Sequence, residues 1–577
     1  MNKKWQLYEI NEEEVEKIEN EYEINKLLAT ILVNRNIKEP KDIRLFLKPT
    51  REDFHDPYLI KDMEIAVQRI IKAINNKEKV TIYGDYDVDG ITSITVLKSF
   101  LSDIGLECES YIPDRLEEGY GLNKNAIDSI LKKGCDLMIT VDCGISGNEE
   151  IDYANSLGIE TIVTDHHEPG DKLPNAIAVI DNKRKDSTYP FRELAGVGVV
   201  FKLIQALGIK LGLKEETYLK YLDIVCLGTI SDIVPLVDEN RVIAKLGLML
   251  VQQTRNIGLR SIINSSGYKK VDSTTISFGV APRVNACGRM GMAEEALNLF
   301  LSKNINEVNE LTKRLNEHNS LRQSIEKQIF EEVLKQIEEN DLDKHKVIVL
   351  GGKNWHHGVI GIVSSKVTEM YFKPSILLSF EEDGMGKGSG RSIPGFDLHE
   401  ALTKCGQTIE KFGGHSMAIG ITLKKDKFEE FKNKFEQIAI DEHIERIVPI
   451  IKIDAKINLD DINKEMVESL KQLEPFGEAN KMPIFLFKNL KIDSIRALSE
   501  GKHLKLTLKD NNNIINAIGF NIGKLADEYR IGDKIDVVGT LEINTFNGVD
   551  NLQINIKDIM KFLIKKGDKI CKKQIKR

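Results

Sequence analysis

The chain has 577 residues, with 81 Lys and Arg against 89 Asp and Glu, a net charge of −8 and seven cysteines. That length is too great for one hydrophobic core, so several domains are expected. The composition excludes a membrane span, since no apolar run reaches about 18 residues. It also excludes a disulfide framework or thiolate zinc site, since no Cys-x-x-Cys pair occurs, and a protein that coats DNA nonspecifically, although a local basic groove remains compatible with net acidity.

The N-terminus, Met1-Asn2-Lys3-Lys4-Trp5, opens no apolar segment of the secretory type, and with the scattered cysteines it points to the cytoplasm. Short apolar stripes among many charges make residues 1–75 an N-terminal helical segment. From Val80 the pattern changes. Val80-Thr81-Ile82-Tyr83 is a β-branched run ending at Gly84, and Ile91 to Leu101 is apolar at helical spacing. Strands are expected again at Cys108 to Ile112, Leu137 to Val141, Thr161 to Thr164 and Ala176 to Ile180, with helices between. This βαβ spacing predicts an α/β parallel sheet, whose sites lie beyond the carboxyl ends of the strands.

Leu321, Ile325, Ile329, Val333 and Ile337 recur every four residues, which predicts one long helix over about 305–338 connecting two globular halves. A second α/β region begins at Val347. From about 450 the chain is richer in strands: Leu504, Leu506 and Leu508 alternate with polar residues, and Asn547-Gly548 is a hairpin signal. A small barrel is expected there, followed by a basic tail.

The informative feature is acidic patches at strand ends: Asp85-Tyr86-Asp87-Val88-Asp89-Gly90, Asp142-Cys143-Gly144 and Asp165-His166-His167, with Asp232 following in Ile230-Ser231-Asp232-Ile233. Extended geometry would put Asp85, Asp87 and Asp89 on one side, with Gly90 turning the chain into a helix. Asp142 is placed to bridge two cations, His166 offers an imidazole that admits manganese beside magnesium, and Asp232 completes the second site. Taken singly, each patch reads better as a helix cap or turn. An EF-hand loop is excluded, because Val96 stands where its last glutamate belongs. Four patches in order on a parallel-sheet pattern favour the metal.

These residues resemble the DHH phosphoesterase superfamily, and within it the RecJ family of bacterial single-strand-specific 5′→3′ DNA exonucleases. The likeness extends through Tyr111-Ile112-Pro113-Asp114-Arg115, Glu118-Gly119-Tyr120-Gly121-Leu122, Leu194-Ala195-Gly196-Val197-Gly198, Ala281-Pro282-Arg283-Val284-Asn285-Ala286-Cys287-Gly288-Arg289, Trp355-His356-His357-Gly358, Gly388-Ser389-Gly390-Arg391-Ser392, Phe412-Gly413-Gly414-His415 and Pro475-Phe476-Gly477. It implies a DHH catalytic domain over 76–300, a connecting helix over 301–345, a DHHA1 substrate-binding domain over 346–447, an OB-fold β-barrel over 450–562 and a basic tail over 563–577. It also implies that Asp87, Asp89, Asp142, His166 and Asp232 bind two cations, Mn²⁺ or Mg²⁺, that Asp85 supports the cluster within reach of a metal, and that His167 touches the scissile phosphate. Tyr83 stands where many members carry a metal-binding histidine, so the first site is expected to be oxygen-rich.

For the substrate, Gly388 to Ser392 is glycine-rich, so its backbone N–H groups would meet a phosphate while Arg391 adds a fork of donors. As bare sequence it reads equally as a surface loop. The resemblance makes Ser389, Gly390 and Arg391 the holders of a 5′-phosphate with Arg115 as partner. Arg283 and Arg289 are candidates to neutralise the scissile phosphate. His356 and His415 are substrate contacts by the same resemblance, although His356-His357 alone reads as a helix start and Phe412-Gly413-Gly414 as a turn with a packed aromatic. The barrel would grip single strands through a basic groove and few aromatics, Phe485, Phe487, Phe520 and Phe546.

No phosphate loop of the NTPase type occurs, since Gly386-Lys387 is followed by Gly388. Duplex opening would therefore fall to a separate helicase; the resemblance implies one of the RecQ type, with a single-strand-binding protein as a second partner. The reading is a 5′→3′ exonuclease releasing 5′-mononucleotides by two-metal hydrolysis in repair and recombination. Cleavage of short oligoribonucleotides or cyclic dinucleotides fits a long second half poorly. A catalytically silent replication scaffold would not need so many like charges together.

Overall fold

The computed structural model describes residues 3–115, 118–546 and 549–561. The described residues form two compact units, one within 49–449 with 475–480, the other within 3–48, 450–474 and 481–561.

The first unit holds two sheets. One has five parallel strands in the order Cys108–Tyr111, Val80–Gly84, Leu137–Val141, Glu160–Thr164 and Ala178–Ile180. Its central strands are buried on both faces, which explains their unbroken apolar character. Alternate residues serve different cores: Val80, Ile82, Ile139 and Val141 face one cluster, and Tyr83, Met138 and Val163 the other. Gly84 pairs with Val141, Val141 with Thr164 and Thr164 with Ile180. The strands therefore end level, and Asp85, Asp142, Asp165 and Asp181 follow on one rim.

Helix Ile305–Glu339 is 35 residues long, about 50 Å. Val308, Leu311 and Leu315 pack on the core of the parallel sheet, and Ile329, Val333 and Ile337 on that of the second sheet. The apolar stripe expected from Leu321 starts later, since Leu321 is 52% exposed between the two packing regions. The second sheet runs Lys411–His415, Ala418–Lys424, Met385–Arg391, Ser375–Phe380 and Ile348–Lys353, with the last two strands parallel and the rest antiparallel. Helices Leu398–Cys405 and Phe428–Asp441 cover one face, and helix His357–Tyr371 the other.

In the second unit, strands Phe485–Leu498, His503–Lys509, Ile514–Gly519, Val549–Lys561 and Lys534–Phe546 close into a barrel through pairing of the first with the last. The barrel expectation holds. The hairpin turn placed at Asn547-Gly548 and the basic tail lie outside the described residues. The segment expected to be helical from the N-terminus divides at Lys48, and it opens with a strand, Lys4–Leu7, parallel to Ile450–Ile453. Four residues with two charged or amide side chains carry no readable strand period. Their order comes from the partner strand and from the Trp5 indole, which donates to Asp558 Oδ2 at 2.8 Å.

Candidate metal centre and substrate cavity

The loop after Val80–Gly84 is not extended. Helix Val88–Asp103 starts at once, with Asp87 as its N-cap accepting from Asp89 N and Gly90 N at 2.9 and 3.1 Å. Asp85 and Asp87 therefore stay together, while Asp89 turns to a different group of side chains instead of sharing their side. Gly90 has no left-handed backbone; a Cβ there would lie 2.4 Å from the Asp85 carbonyl oxygen, so close approach is what it permits. Asp89 turns to another helix start and accepts from Gly196 N at 2.7 Å and Val197 N at 2.8 Å. A Cβ at Gly196 would stand 2.7 Å from Asp142 Cβ, so that glycine lets the helix reach the centre. Both capping and clustering are realised in the same aspartates.

The side chains gather into linked trios. Asp85, Asp87 and Asp142 can each turn one donor atom within 4.8 Å of the others, as can Asp89, His166 and Asp232, and Asp142, His166 and His167. His166 Nε2 lies 3.1 Å from Asp142, 3.6 Å from Asp232 and 3.8 Å from Asp89. Asp142 sits in the left-handed region at φ 57°, a strained turn of the kind found at functional sites, and its contact with His166 links the first trio to the second. Asp85 Oδ1, Asp142 Oδ1 and both His166 ring nitrogens are buried with no hydrogen-bond partner, which is costly unless something satisfies them.

Burial, and then the neighbouring carboxylates, push the Asp85, Asp142 and Asp232 pKa values well above the usual range, and Asp89 to about 7. Burial, followed by the charge on His167, pulls His166 down to about 3, leaving a neutral imidazole able to ligate. Crowded carboxylate oxygens with one neutral imidazole fit hard divalent cations, and the orphaned atoms fit the same reading.

Asp165 has a different task. Its Oδ1 accepts from His166 N, His167 N and His167 Nδ1 at 2.7, 3.2 and 2.7 Å, and its Oδ2 from Ile145 N at 2.9 Å. It holds His167 at the rim. Burial lowers the His167 pKa, but the Asp165 bond and the carboxylates outweigh it and hold the ring at about 9. Tyr120 Oη lies 3.3 Å from His167 Nε2. Tyr83 turns away: it is fully buried, stacks on Tyr111 and donates to the Gly121 carbonyl at 2.9 Å. It lies in the opposite core because it alternates with Ile82.

Beside the carboxylates is a cavity of about 360 Å³ lined by Arg115, Arg289, His357, Ser389 and Arg391. Arg115 lies over the Tyr86 ring at 4.9 Å. Arg289 donates to the Gly358 carbonyl at 2.8 Å, and burial and then the charges of Arg115, Arg322 and Arg391 lower its pKa to about 10. Guanidinium groups so crowded suit a strongly anionic guest.

Gly388 to Arg391 is a strand rather than a loop, paired on both sides, so its backbone N–H groups serve the sheet and not a phosphate. Alternation turns Ser389 and Arg391 to the cavity and Gly390 to the core, where a Cβ would meet Ile419 and Ile376. Gly390 thus presents no side chain to the cavity, unlike Ser389 and Arg391. His356 is the N-cap of helix His357–Tyr371, accepting from Gly358 N at 3.1 Å; it is His357 that lines the cavity. Arg283 donates to Asn316 Oδ1 at 2.7 Å and to the Gly279 carbonyl, so its recorded bonds run to neighbouring helical segments and include no carboxylate of the centre. His415 is exposed at the end of strand Lys411–His415, and Phe412 packs against His399. In the barrel Phe485 and Phe487 are core, while Phe520 is 51% exposed beside His503.

Sequence reading missed Asp165 as the support of His167, and Asp181, a fully buried strand-end aspartate at the same register, which the strand rule would have found. It also missed Asn285, whose Oδ1 accepts from Val88 N at 3.3 Å, and Arg322. Arg322 donates to Asn319 Oδ1 at 2.6 Å and is clasped by Glu326. No local signal separates it from the other charges of the long helix.

Three family descriptions match: "DHH family, N-terminal domain" over 79–229, "DHHA1 domain" over 344–441 and "RecJ OB domain" over 453–558. The chain is 38% identical to the single-stranded-DNA-specific exonuclease RecJ of Bacillus subtilis over 561 residues, 96% of this chain and 70% of that one. It superposes on the crystal structure of RecJ in complex with Mn²⁺ from Thermus thermophilus with TM-score 0.84 and 28% identity, covering 97% of this chain and 80% of that one. The Mg²⁺ complex from the same organism gives TM-score 0.79 and 27% identity over 97% and 79%.

Proposed function

Because the chain belongs to the RecJ family of single-stranded-DNA-specific exonucleases, we propose that its strand-end carboxylates hold two divalent cations, Mn²⁺ or Mg²⁺, while its arginine cavity receives the 5′ end of a single strand. The chain is a metal-dependent hydrolase acting on single-stranded DNA. The observation that carries the proposal is the pair of donor trios joined at Asp142 and His166, with orphaned buried donor atoms, beside a cavity of guanidinium groups.

Asp85, Asp87 and Asp142 would hold one cation, and Asp89, His166 and Asp232 the other. When bound, such ions polarise the scissile phosphate and lower the pKa of water. His167, fixed by Asp165 and carrying a proton, offers a donor to a phosphate oxygen at the rim. Arg115, Arg289 and Arg391 neutralise the terminal phosphate and set the register, so one 5′-mononucleotide leaves per cycle. Ser389 orients Arg391 through its 2.9 Å bond to Nη1. The barrel, with Phe520 exposed, would grip the remainder of the strand. A RecQ-type helicase and a single-strand-binding protein are the partners this activity calls for, since the sequence offers no ATP-driven unwinding. Among the described residues no helix is long and apolar enough to cross a membrane.

Labelled single- and double-stranded DNA with 5′ or 3′ label, incubated with Mn²⁺, Mg²⁺ or chelator, tests the reading. Metal-dependent release of 5′-mononucleotides from single strands is expected. Release from 3′ ends, or turnover in chelator, would contradict it.

A further inference from the structure

Next to Asp232 stands a residue in a conformation that its side chain opposes. Ile233 has φ 62°, and among the described residues with left-handed backbone it is the one β-branched side chain. Such a residue there is a genuine outlier, because its branched Cβ crowds the backbone, whereas glycine or asparagine would make the same turn at less cost.

The turn is enforced from both sides. Asp232 N donates to the Gly228 carbonyl at 2.9 Å, Leu236 N to the Glu478 carbonyl at 2.9 Å, and Asn240 Nδ2 to the Pro235 carbonyl at 3.1 Å. Ile230 and Leu236 are buried. Yet Ile233 itself is 70% exposed, so its packing within the protein does not offset the strain. Its apolar side chain stands in solvent, one residue from a carboxylate that lies 3.6 Å from His166.

We infer that Ile233 is a substrate-contact residue, an apolar platform for the nucleoside flanking the phosphate held at the metal centre. Consecutive Cα atoms are about 3.8 Å apart, so the sugar and base flanking a phosphate held near Asp232 would lie within reach of the exposed Ile233 side chain. An alkyl side chain offers no donor or acceptor, so the contact is blind to base identity, as digestion of strands of any sequence requires. The surrounding bonds hold the strained turn and keep the side chain in solvent, where a nucleoside can pack against it. The inference rests on the reading of Asp232 as a ligand of the centre.

The test compares the full chain with Ile233→Asn and Ile233→Val. Asparagine tolerates the turn and removes the platform; valine keeps it. Three quantities are read: the thermal midpoint in chelator, Mn²⁺ uptake by calorimetry, and kcat and KM on 5′-phosphorylated single strands of several base compositions. Ile233→Asn is expected to melt no lower than the parent and to take up Mn²⁺ unchanged. Its kcat/KM should fall roughly tenfold, mostly through KM and equally for all compositions, as loss of one apolar contact implies. Ile233→Val should stay within about twofold. A lower midpoint for Ile233→Asn would make the residue structural, and unchanged kcat/KM with intact Mn²⁺ uptake would remove the contact; either overturns the inference. Absence of Mn²⁺ uptake by the parent would overturn the metal-centre reading instead.

Discussion

Arg391→Ala separates recognition of the 5′ end from chemistry. Arg391 Nη1 donates to Ser389 Oγ at 2.9 Å and to the Gly390 carbonyl at 2.8 Å, which fixes the guanidinium and aims its remaining donors into the cavity shared with Arg115 and Arg289. Hydrogen bonds to charged groups contribute about 1.5–3 kcal/mol each. Two arginines remain in the variant, so the loss for a terminal phosphate is placed at about 2 kcal/mol, or roughly 30-fold. The assay is steady-state degradation of one 3′-labelled single strand carrying either a 5′-phosphate or a 5′-hydroxyl, with circular dichroism melts to verify folding. The parent should prefer the phosphorylated end. Arg391→Ala should lose that preference through KM while kcat on the hydroxyl end stays within about twofold, because the carboxylate trios are untouched. An equal fall on both ends would place Arg391 in the chemistry or in the fold, and no preference in the parent would refute the cavity's assignment.

Asp142→Ala should abolish hydrolysis, by more than about 10³-fold, while far-ultraviolet dichroism stays native, since the residue belongs to one trio and faces His166 of the other; turnover near that of the parent would remove its bridging role. Saturating Mn²⁺ should raise the thermal midpoint by several degrees, because a ligand at 100 times its Kd stabilises by about 2.7 kcal/mol. Excess chelator should reverse the shift, and Asp142→Ala should not show it. Tyr83→Phe should lower stability by about 1 kcal/mol through loss of the bond to the Gly121 carbonyl, measured by urea melts, with kcat unchanged. A large fall in kcat would return Tyr83 to the metal centre.

The rim of the parallel sheet was legible because strands buried on both faces are continuous apolar runs, and each stops at an acid: Gly84 before Asp85, Val141 before Asp142, Thr164 before Asp165. What each acid does was less legible. Asp89 and Asp165 bind backbone N–H groups that come from Gly196, Val197 and Ile145, residues that no spacing rule brings near them. Gly388 to Arg391 looked like a loop because glycine is a poor strand former; its place between two strands follows from the close approach of Ile376, Ile419 and Ile421. The strand at Lys4–Leu7 depends on a partner some 450 residues away. Helix Ile305–Glu339 was legible as a helix, but the split of its apolar stripe between two cores was not, since both halves carry the same period. Arg322 was hidden for the same reason, as one cation among many on a charged helix.

The central claim is that acids distant in sequence converge to hold a pair of cations. Anomalous diffraction at the manganese edge from crystals soaked in Mn²⁺ tests it most directly. Two peaks are expected, one among Asp85, Asp87 and Asp142 and one among Asp89, His166 and Asp232, both touching Asp142. Carboxylates turned apart with no peak between them, or peaks only elsewhere, would contradict the account.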